Sequence, residues 1–452
     1  MERTLILDCN EKIGEKVKIC GWVQTRRDHG KIIFLDILDR SGVIQVVVSP
    51  EQVHLGGVPS ASLGTTVRGD FNLRHQDVVC IEGSVAKRPE KLINSNLETG
   101  TIELQAKNIE VLSKAEDLPF DPFGDSEPNL DLRLDWRFLD LRRPQSALIF
   151  KVWTIMEQAF TEYCISNDFI EIHSPKTVVT STESGSELFE ITYFDKKAYL
   201  AQSPQLYKQM AMASGLEKVF EIGPVFRANP SFTSRHDTEF TMYDIEMSFI
   251  NSHFDLMTEE EKMVKAMVEA VKNKYGEQVK KYFDREIIIP TLPFPKLTFK
   301  EAKEILAKLG IKSEKAEDFS PEEEREISKY ILKEHGHEFV FIHDWPASAR
   351  AFYSMRLESD PKLSKTFDLL WNGLEITSGA QREHRYDILV KQIEEKGFGI
   401  KPFESYLSFF RYGMPPHGGF APGPSRMVMK MLNLNNVREV TYLYRGPNRL
   451  TP

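Results

Sequence analysis

At 452 residues, with 41% hydrophobic and 28% charged side chains, the chain has the apolar mass for about two to four packed domains. A net charge of −9 excludes a generally basic nucleic-acid coat but leaves room for a local basic patch, and apolar runs such as Ile32–Leu35 are far too short to cross a bilayer. Four cysteines (Cys9, Cys20, Cys80 and Cys164) form no Cys-x-x-Cys pair, so neither a disulfide framework nor a zinc ribbon is expected. The start, Met1-Glu2-Arg3-Thr4, has no apolar stretch of signal-peptide type, so the expectation is a reduced, cytoplasmic protein with no membrane partner.

Residues 1–105 read as all-β. Strands are expected at Lys16–Val23, Ile32–Leu38, Val43–Val48, Val78–Val85 and Thr101–Leu104, separated by Gly and charged turns. Five short strands in this length fit an OB-fold barrel, which often binds single-stranded nucleic acid; a small sandwich with no ligand fits the same pattern. The Pro- and acid-rich stretch Asp117–Gly124 marks a hinge, and a linker is expected over 106–140. Beyond it a domain is expected over 141–452, opening with a helix at about 145–167. The charged block at about 255–345, with Glu259-Glu260-Glu261 and Pro321–Glu326, reads as a mainly helical, solvated insertion without chemistry.

Three later segments carry residues with chemical potential. Lys218–Arg227 and Thr238–Ile250 form a long hairpin, and period 2 puts Phe240, Met242, Asp244 and Glu246 on one face. The opposite face, Thr241, Tyr243, Ile245, Met247 and Phe249, is expected to be core. Two carboxylates beside an aromatic ring, with Arg227, Arg235 and His236 nearby, suit a site for ammonium groups and a flat ring; an exposed charged hairpin is the plainer alternative. In Thr366–Arg382, the turn Asn372-Gly373 pairs Leu370 with Glu375 and Asp368 with Thr377. Asp368 and Glu375 then become diagonal neighbours within reach of a shared Mg²⁺, which implies a polyphosphate substrate. Lastly, the glycines of His417–Arg426 lead into a helix that starts near Arg426. They suit either phosphate handling or close strand packing.

In this order the segments resemble the class II aminoacyl-tRNA synthetases. Ile170–Pro175 is similar to motif 1, the Phe226-Arg227 hairpin to motif 2, and the stretch ending Ser425-Arg426 to motif 3. Ala201–Gln209, Thr182–Gly185, Ser378–Arg382 and the terminal Arg449–Pro452 resemble the aspartyl-tRNA synthetase family, in an archaeal-type layout without a large extra domain between motifs 2 and 3. The resemblance implies an α+β protein, an OB-fold anticodon-binding barrel plus a catalytic domain built on an antiparallel sheet flanked by helices. It implies aspartate–tRNA ligase activity, with ATP and Mg²⁺ as cofactors, L-aspartate and tRNA(Asp) as partners, and a homodimer with Pro175 at its interface.

The resemblance also implies roles, residue by residue. Arg227 neutralises the α-phosphate and the attacking carboxylate, and Arg426 holds the γ-phosphate, assisted by Arg235 or His236. Phe240 stacks on adenine, and Asp368 and Glu375 carry Mg²⁺, so that Glu375 also contacts ATP. Gln205 and Asp244 meet the substrate ammonium, with Glu183 closing over it and Ser378 alongside. Lys208 and Arg382 meet the side-chain carboxylate. In the barrel, His29, Phe34, Gln45 and Glu90 face the anticodon. A His at position 29 resembles relaxed members that also charge tRNA(Asn) and pass the product to an amidotransferase. Three positions depart from the family pattern, since Asn229, Ser425 and Gly446 stand where acids are usual. They keep open a paralogue that binds nucleic acid or regulates without charging; an asparaginyl enzyme is the other alternative.

Overall fold

Alternation in the first hundred residues does become a barrel. β1 (Lys16–Asp28), β2 (Ile33–Leu38), β3 (Val43–Val48), β4 (His54–Gly57), β5 (Val78–Lys87) and β6 (Ile102–Ser113) form one sheet in the order β3-β2-β1-β5-β6-β4. A parallel contact between β3 and β6, through Val46 and Leu104, closes it. Every second residue of β1–β3 turns inward, so Val17, Ile19, Val23, Ile33, Leu35, Ile37, Ile44, Val46 and Val48 meet in one core. The structure, a computed structural model, describes residues 1–50, 53–57, 72–124, 126–179, 187–230 and 233–452.

Two expectations for this region need correction. β6 runs to Ser113, pairing with β5 along its length, so the barrel does not end at 105; the chain divides into units at 1–127 and 128–452. Strand pairing extends β6 through a charged stretch that local alternation undervalued. Second, Cys20 and Cys80, 60 residues apart in sequence, are directly opposed in the β1/β5 register and joined by a disulfide. Register brings them together, and sequence spacing carries no sign of it.

The second unit begins inside the expected linker. α1 (Leu130–Asp135) and α2 (Arg137–Asp140) are anchored by buried Asp140, which accepts from Arg133 at 2.9 Å, Arg137 at 2.6 Å and Ser146 at 3.1 Å. α3 (Pro144–Ser166) is the expected helix. After β7 (Ile170–Glu171), a small sheet forms from β8 (Thr177–Val178), β9 (Glu190–Tyr193) and β10 (Lys196–Leu200). α4 (Gln205–Ala213) leads into the long hairpin of β11 (Lys218–Phe226) and β12 (Glu239–Ser248), in register from Phe226↔Glu239 to Lys218↔Met247.

The block at 255–345 is not a solvated insertion. α5 (His253–Phe283) buries Leu256, Met257, Met263, Val264, Met267 and Val268 against α3 and the large sheet. β13 (Lys296–Thr298) and β14 (Phe339–Pro346) extend that sheet, while α6 (Phe299–Lys308) and α7 (Pro321–His335) build a second core with Val340, Ile342 and Leu370. Many of the charged residues of α6 and α7 lie on outer helix faces or at capping boxes, and they masked an apolar stripe at helical spacing. β15 (Leu363–Trp371), β16 (Leu374–Gln381) and β17 (His417–Pro422) complete an eight-stranded sheet in the order β13-β14-β15-β16-β17-β12-β11-β7. It is antiparallel except at its two edges, where β7 and β13 pair in parallel. α8 (Tyr386–Glu395), α9 (Glu404–Phe410), α10 (Pro424–Met431) and α11 (Val437–Val440) finish the chain.

The sheet's two faces have different work. Tyr243, Ile245, Phe341, Phe367, Leu369 and Phe420 face α3 and α5, with Phe160 of α3 stacked on Tyr243 at 4.4 Å. The other face carries Phe240, Met242, Asp244 and Glu246 of β12 and Thr366 and Asp368 of β15. Phe249 departs from the expected core because β12 ends at Ser248, leaving its ring exposed.

Candidate active site

The floor of the site is a buried charge cluster. Glu246 is fully buried on β12; Arg382, just past β16, meets it from Nε at 3.0 Å and Nη2 at 3.2 Å. Lys208, on α4, places Nζ 3.3 Å from Glu246 and 3.1 Å from Asp244, and donates to the Ile245 carbonyl. Burial opposes ionisation of Glu246, but Arg382 and Lys208 overcome it and hold the carboxyl below its usual range. Asp244 goes the other way: burial raises it in spite of Lys208. The floor therefore sets two cations, Lys208 and Arg382, beside Glu246 and a raised Asp244. β17 can lie this close only as glycine, since a Cβ at Gly419 would sit 2.0 Å from the Ile245 carbonyl and 2.2 Å from Glu246. Gly418 and Gly419 thus serve close strand packing.

Above this floor a cavity of about 420 Å³ is lined by Gln205, Lys208, Arg227, Arg235, His236, Phe240, Asp244, Glu375, Ser378, Arg382 and Arg426, so the sequence-selected residues converge. The side-chain nitrogen of Gln205 is buried there without a partner. Arg227 lies over the Phe240 ring at 5.5 Å. At the far end the guanidiniums gather: burial, then Arg426, Arg235 and Arg227, push His236 down to about 4. A neutral imidazole among three cations is suited to a polyanion. Arg426, near the start of α10, donates to the Glu375 carbonyl at 2.8 Å and stands 3.6 Å from its carboxylate.

The hairpin register is corrected by one residue. A bulge between Leu369 and Leu370 pairs Asp368 with Ser378, not Thr377, while Leu370 still pairs Glu375. Asp368 and Glu375 stay on one face, on adjacent strands in the same patch. Burial and then the Asp368 charge push Glu375 up to about 7, against Arg426. Asp368 itself does not line the cavity; it lies behind, clamped by Arg350 at 2.5 and 3.1 Å and hydrogen-bonded by Ser378. An oxygen-only pair whose outer member stays raised in spite of Arg426 fits a hard divalent cation.

Several site residues escaped sequence reasoning. Arg350 precedes β15 in an irregular segment and lies over Trp345 at 4.0 Å. Glu324, in the block read as free of chemistry, holds Arg235 at 2.7 Å. Asp237 lines the cavity and is pushed up to about 7 by burial. Glu246, expected with Asp244 as a carboxylate for an ammonium group, instead pairs with the chain's own Lys208 and Arg382. The departures have places too: Asn229 and Ser425 line the cavity, and an Asp at Gly446 would strike Tyr444, whose hydroxyl is 2.4 Å from where a Cβ would stand. Glu183 lies outside the described residues. Pro175 is exposed after the edge strand β7.

In the first unit, Phe34 lies between the buried Ile33 and Leu35, so it faces outward rather than into the barrel core. His29 meets its ring edge-on at 5.6 Å. Gln45 is partly exposed and linked to Arg27 at 3.4 Å and Glu103 at 3.3 Å. Glu90 is exposed in a single turn, Glu90–Leu92. An aromatic ring bordered by polar groups on a barrel face suits unpaired bases.

Residues 129–445 match the family of class II tRNA synthetases (D, K and N), and residues 17–112 match the OB-fold nucleic acid binding domain. The chain is 43% identical to an aspartate–tRNA(Asp) ligase of Pyrococcus abyssi, covering 97% of each chain. It is 41% identical to an aspartate–tRNA(Asp/Asn) ligase of Aeropyrum pernix, covering 97% of this chain and 96% of that one. The asparaginyl-tRNA synthetase of Pyrococcus horikoshii, solved with asparaginyl-adenylate, superposes over the whole of both chains with a TM-score of 0.88 at 31% identity. No helix among the described residues is long and apolar enough to cross a membrane.

Glu246→Gln should strip Lys208 and Arg382 of their shared carboxylate and cost about 3–5 kcal/mol, the usual penalty for an orphaned buried charge. Urea denaturation of the full chain reads it. A loss below about 1 kcal/mol, as for a surface pair, would mean that Glu246 does not hold the floor together.

Proposed function

We propose that this chain, which belongs to the class II tRNA synthetases of the D, K and N group, activates L-aspartate with ATP and transfers it to the 3′ end of tRNA(Asp). The observation that carries the reading is the floor: Lys208 and Arg382 against Glu246, with Asp244 raised by burial. Two buried cations side by side suit a side-chain carboxylate. An incoming ammonium on Gln205 and Asp244 would in turn favour ionised Asp244, so the zwitterion and a second carboxylate together balance the pocket. Asparagine brings no charge to Lys208 and Arg382, which disfavours the asparaginyl alternative despite a shared fold.

The chemistry then follows from positioning and charge. The α-carboxylate of aspartate attacks the α-phosphorus of ATP in line, pyrophosphate leaves, and a ribose hydroxyl of tRNA later takes the acyl group and releases AMP. Arg227, on the cavity wall, would neutralise both the attacking carboxylate and the α-phosphate, which otherwise repel. Phe240 offers a ring face to adenine. Arg426, with Arg235 and His236, meets the terminal phosphates. Asp368 and Glu375 would hold Mg²⁺, which supplies charge neutralisation on the phosphate oxygens. Glu183 would close over the amino acid, with Ser378 at the pocket wall. A homodimer through the exposed Pro175 segment belongs to the same reading.

For the barrel we infer an anticodon face of His29, Phe34, Gln45 and Glu90. The His29–Phe34 contact and the dual naming of relatives such as the Aeropyrum pernix enzyme favour a second substrate, tRNA(Asn), whose aspartyl product an amidotransferase would then convert. A neutral imidazole can donate or accept, so it can meet either base edge.

ATP–pyrophosphate exchange should depend on aspartate, and Arg382→Ala should cost several kcal/mol, on the order of a thousandfold in kcat/KM. Exchange supported equally by asparagine would reject the aspartate assignment, and exchange with neither amino acid would favour a non-charging paralogue. Mg²⁺ binding should tighten as pH rises through about 7, because the ion needs ionised Glu375, and the dependence should vanish in Glu375→Gln. Calorimetric titrations at pH 6 and 8 check this; equal affinities would remove Glu375 from the site. Charging of tRNA(Asp) and tRNA(Asn) side by side should give specificity constants within about a hundredfold, or 2.7 kcal/mol. A larger ratio would define a strict aspartyl enzyme.

A further inference from the structure

We propose that His253, His343 and Asp344 form a separate site for one Zn²⁺, on the sheet face opposite the candidate active site. Among the described residues these three are a His/Asp cluster whose donor atoms all lie within 4.8 Å of one another. His253 opens α5 and His343 and Asp344 lie near the end of β14. The β14/β15 register slips between His343 and Trp345, and Asp344 takes φ of +57°. In a regular strand two successive side chains point to opposite faces; the bulge turns Asp344 toward the same cluster as His343.

The Asp344 carboxylate stands between the two imidazoles. His253 Nε2 stands 3.1 Å from Asp344 Oδ1, and His343 Nδ1 stands 3.2 Å from Asp344 Oδ2. Zinc bonds of about 2.0–2.2 Å at tetrahedral angles place neighbouring donors about 3.3–3.5 Å apart, so the three donors, all within 4.8 Å of one another, would draw in around one ion by side-chain adjustment. Close as they are, these contacts are poorly aligned as hydrogen bonds: both nitrogens of His253, Nδ1 of His343 and Oδ1 of Asp344 are buried without an aligned partner. His253 and His343 are 3% and 8% exposed, so water does not rescue them.

The surroundings suit a structural metal. Phe254 packs against both imidazoles, at 4.4 and 5.2 Å, and shields them. Asp344 remains partly exposed and leaves an entry path, with room at that side for water as a fourth ligand. Two imidazoles and a carboxylate select Zn²⁺ over Mg²⁺, which prefers oxygen. The neighbouring residue Ile342 pairs with Asp368, so His343 points away from the catalytic carboxylates. An ion here would pin the start of α5 to the strand beside the one carrying Asp368. This site does not rest on the aspartate reading and survives its failure.

The full chain, stripped with chelator and equilibrated with Zn²⁺ alone, tests the proposal by metal analysis and thermal unfolding. One equivalent per chain and a raised Tm are expected, both kept in Asp368→Asn/Glu375→Gln and both lost in His343→Gln and in Asp344→Asn. Co²⁺ in the unaltered chain should give the visible absorption of a tetrahedral site, a readout that needs no variant to fold. The proposal is overturned if the unaltered chain takes up no Zn²⁺ at micromolar free metal. It is also overturned if the bound equivalent persists in both His343→Gln and Asp344→Asn, or disappears in Asp368→Asn/Glu375→Gln.

Discussion

Everything on the active face of the large sheet is arranged around one buried carboxylate. Glu246 joins Lys208 of α4 to Arg382 beyond β16 from its seat on β12, so three elements distant in sequence share one charge cluster. β17 approaches from the other side, and Gly419 is the reason it can. The next layer is neutral by construction. Tyr406 donates to Gln209, whose amide meets His417 Nε2 at 3.1 Å, and His417 Nδ1 lies 2.9 Å from the Pro415 carbonyl. That pattern holds one tautomer of a neutral imidazole, in keeping with the drop of His417 to about 4 on burial. A charge placed there would unbalance the floor, and the hydrogen bonds are set so that none is.

From the floor outward the pocket is graded. Cations facing the Glu246 carboxylate lie deepest, the raised Glu375 carboxyl sits beside Asp368 on the hairpin of β15 and β16, and three guanidiniums crowd His236 at the far end. Each perturbed group records a missing partner. Glu375 and Asp237 sit high because burial takes them from water without enough positive charge, and His236 sits low because positive charge is already in excess. A substrate carrying an ammonium, two carboxylates and a polyphosphate has the complementary sequence of charges.

The supporting framework explains why a charged stretch could be read as inert. Glu259, Glu260 and Glu261 lie on α5, yet Glu260 is fully buried beneath β16 and is pushed up to about 8 by burial, while Glu261 accepts from the Phe294 backbone at 2.9 Å and from Lys296 at 3.3 Å. Charge in sequence is therefore no measure of exposure here. The same block supplies Glu324 to the pocket through Arg235 and both histidines of the proposed zinc site.

What the sequence determined by itself was local and periodic. Alternation set the inward residues of β1–β3, placed Phe34 between them, and put Asp244 and Glu246 on one face of β12; Asn372-Gly373 set the turn that keeps Asp368 and Glu375 together. Those features depend on neighbours within a few residues, where backbone geometry leaves few choices. Tertiary structure alone decided the rest. It slipped the β15/β16 register at a bulge, set Cys20 against Cys80, ran β6 on to Ser113, clamped Asp368 with Arg350 and turned α5 into core. Each of these is a pairing across tens or hundreds of residues, governed by which surfaces exclude water together, and no spacing within the chain encodes that partner.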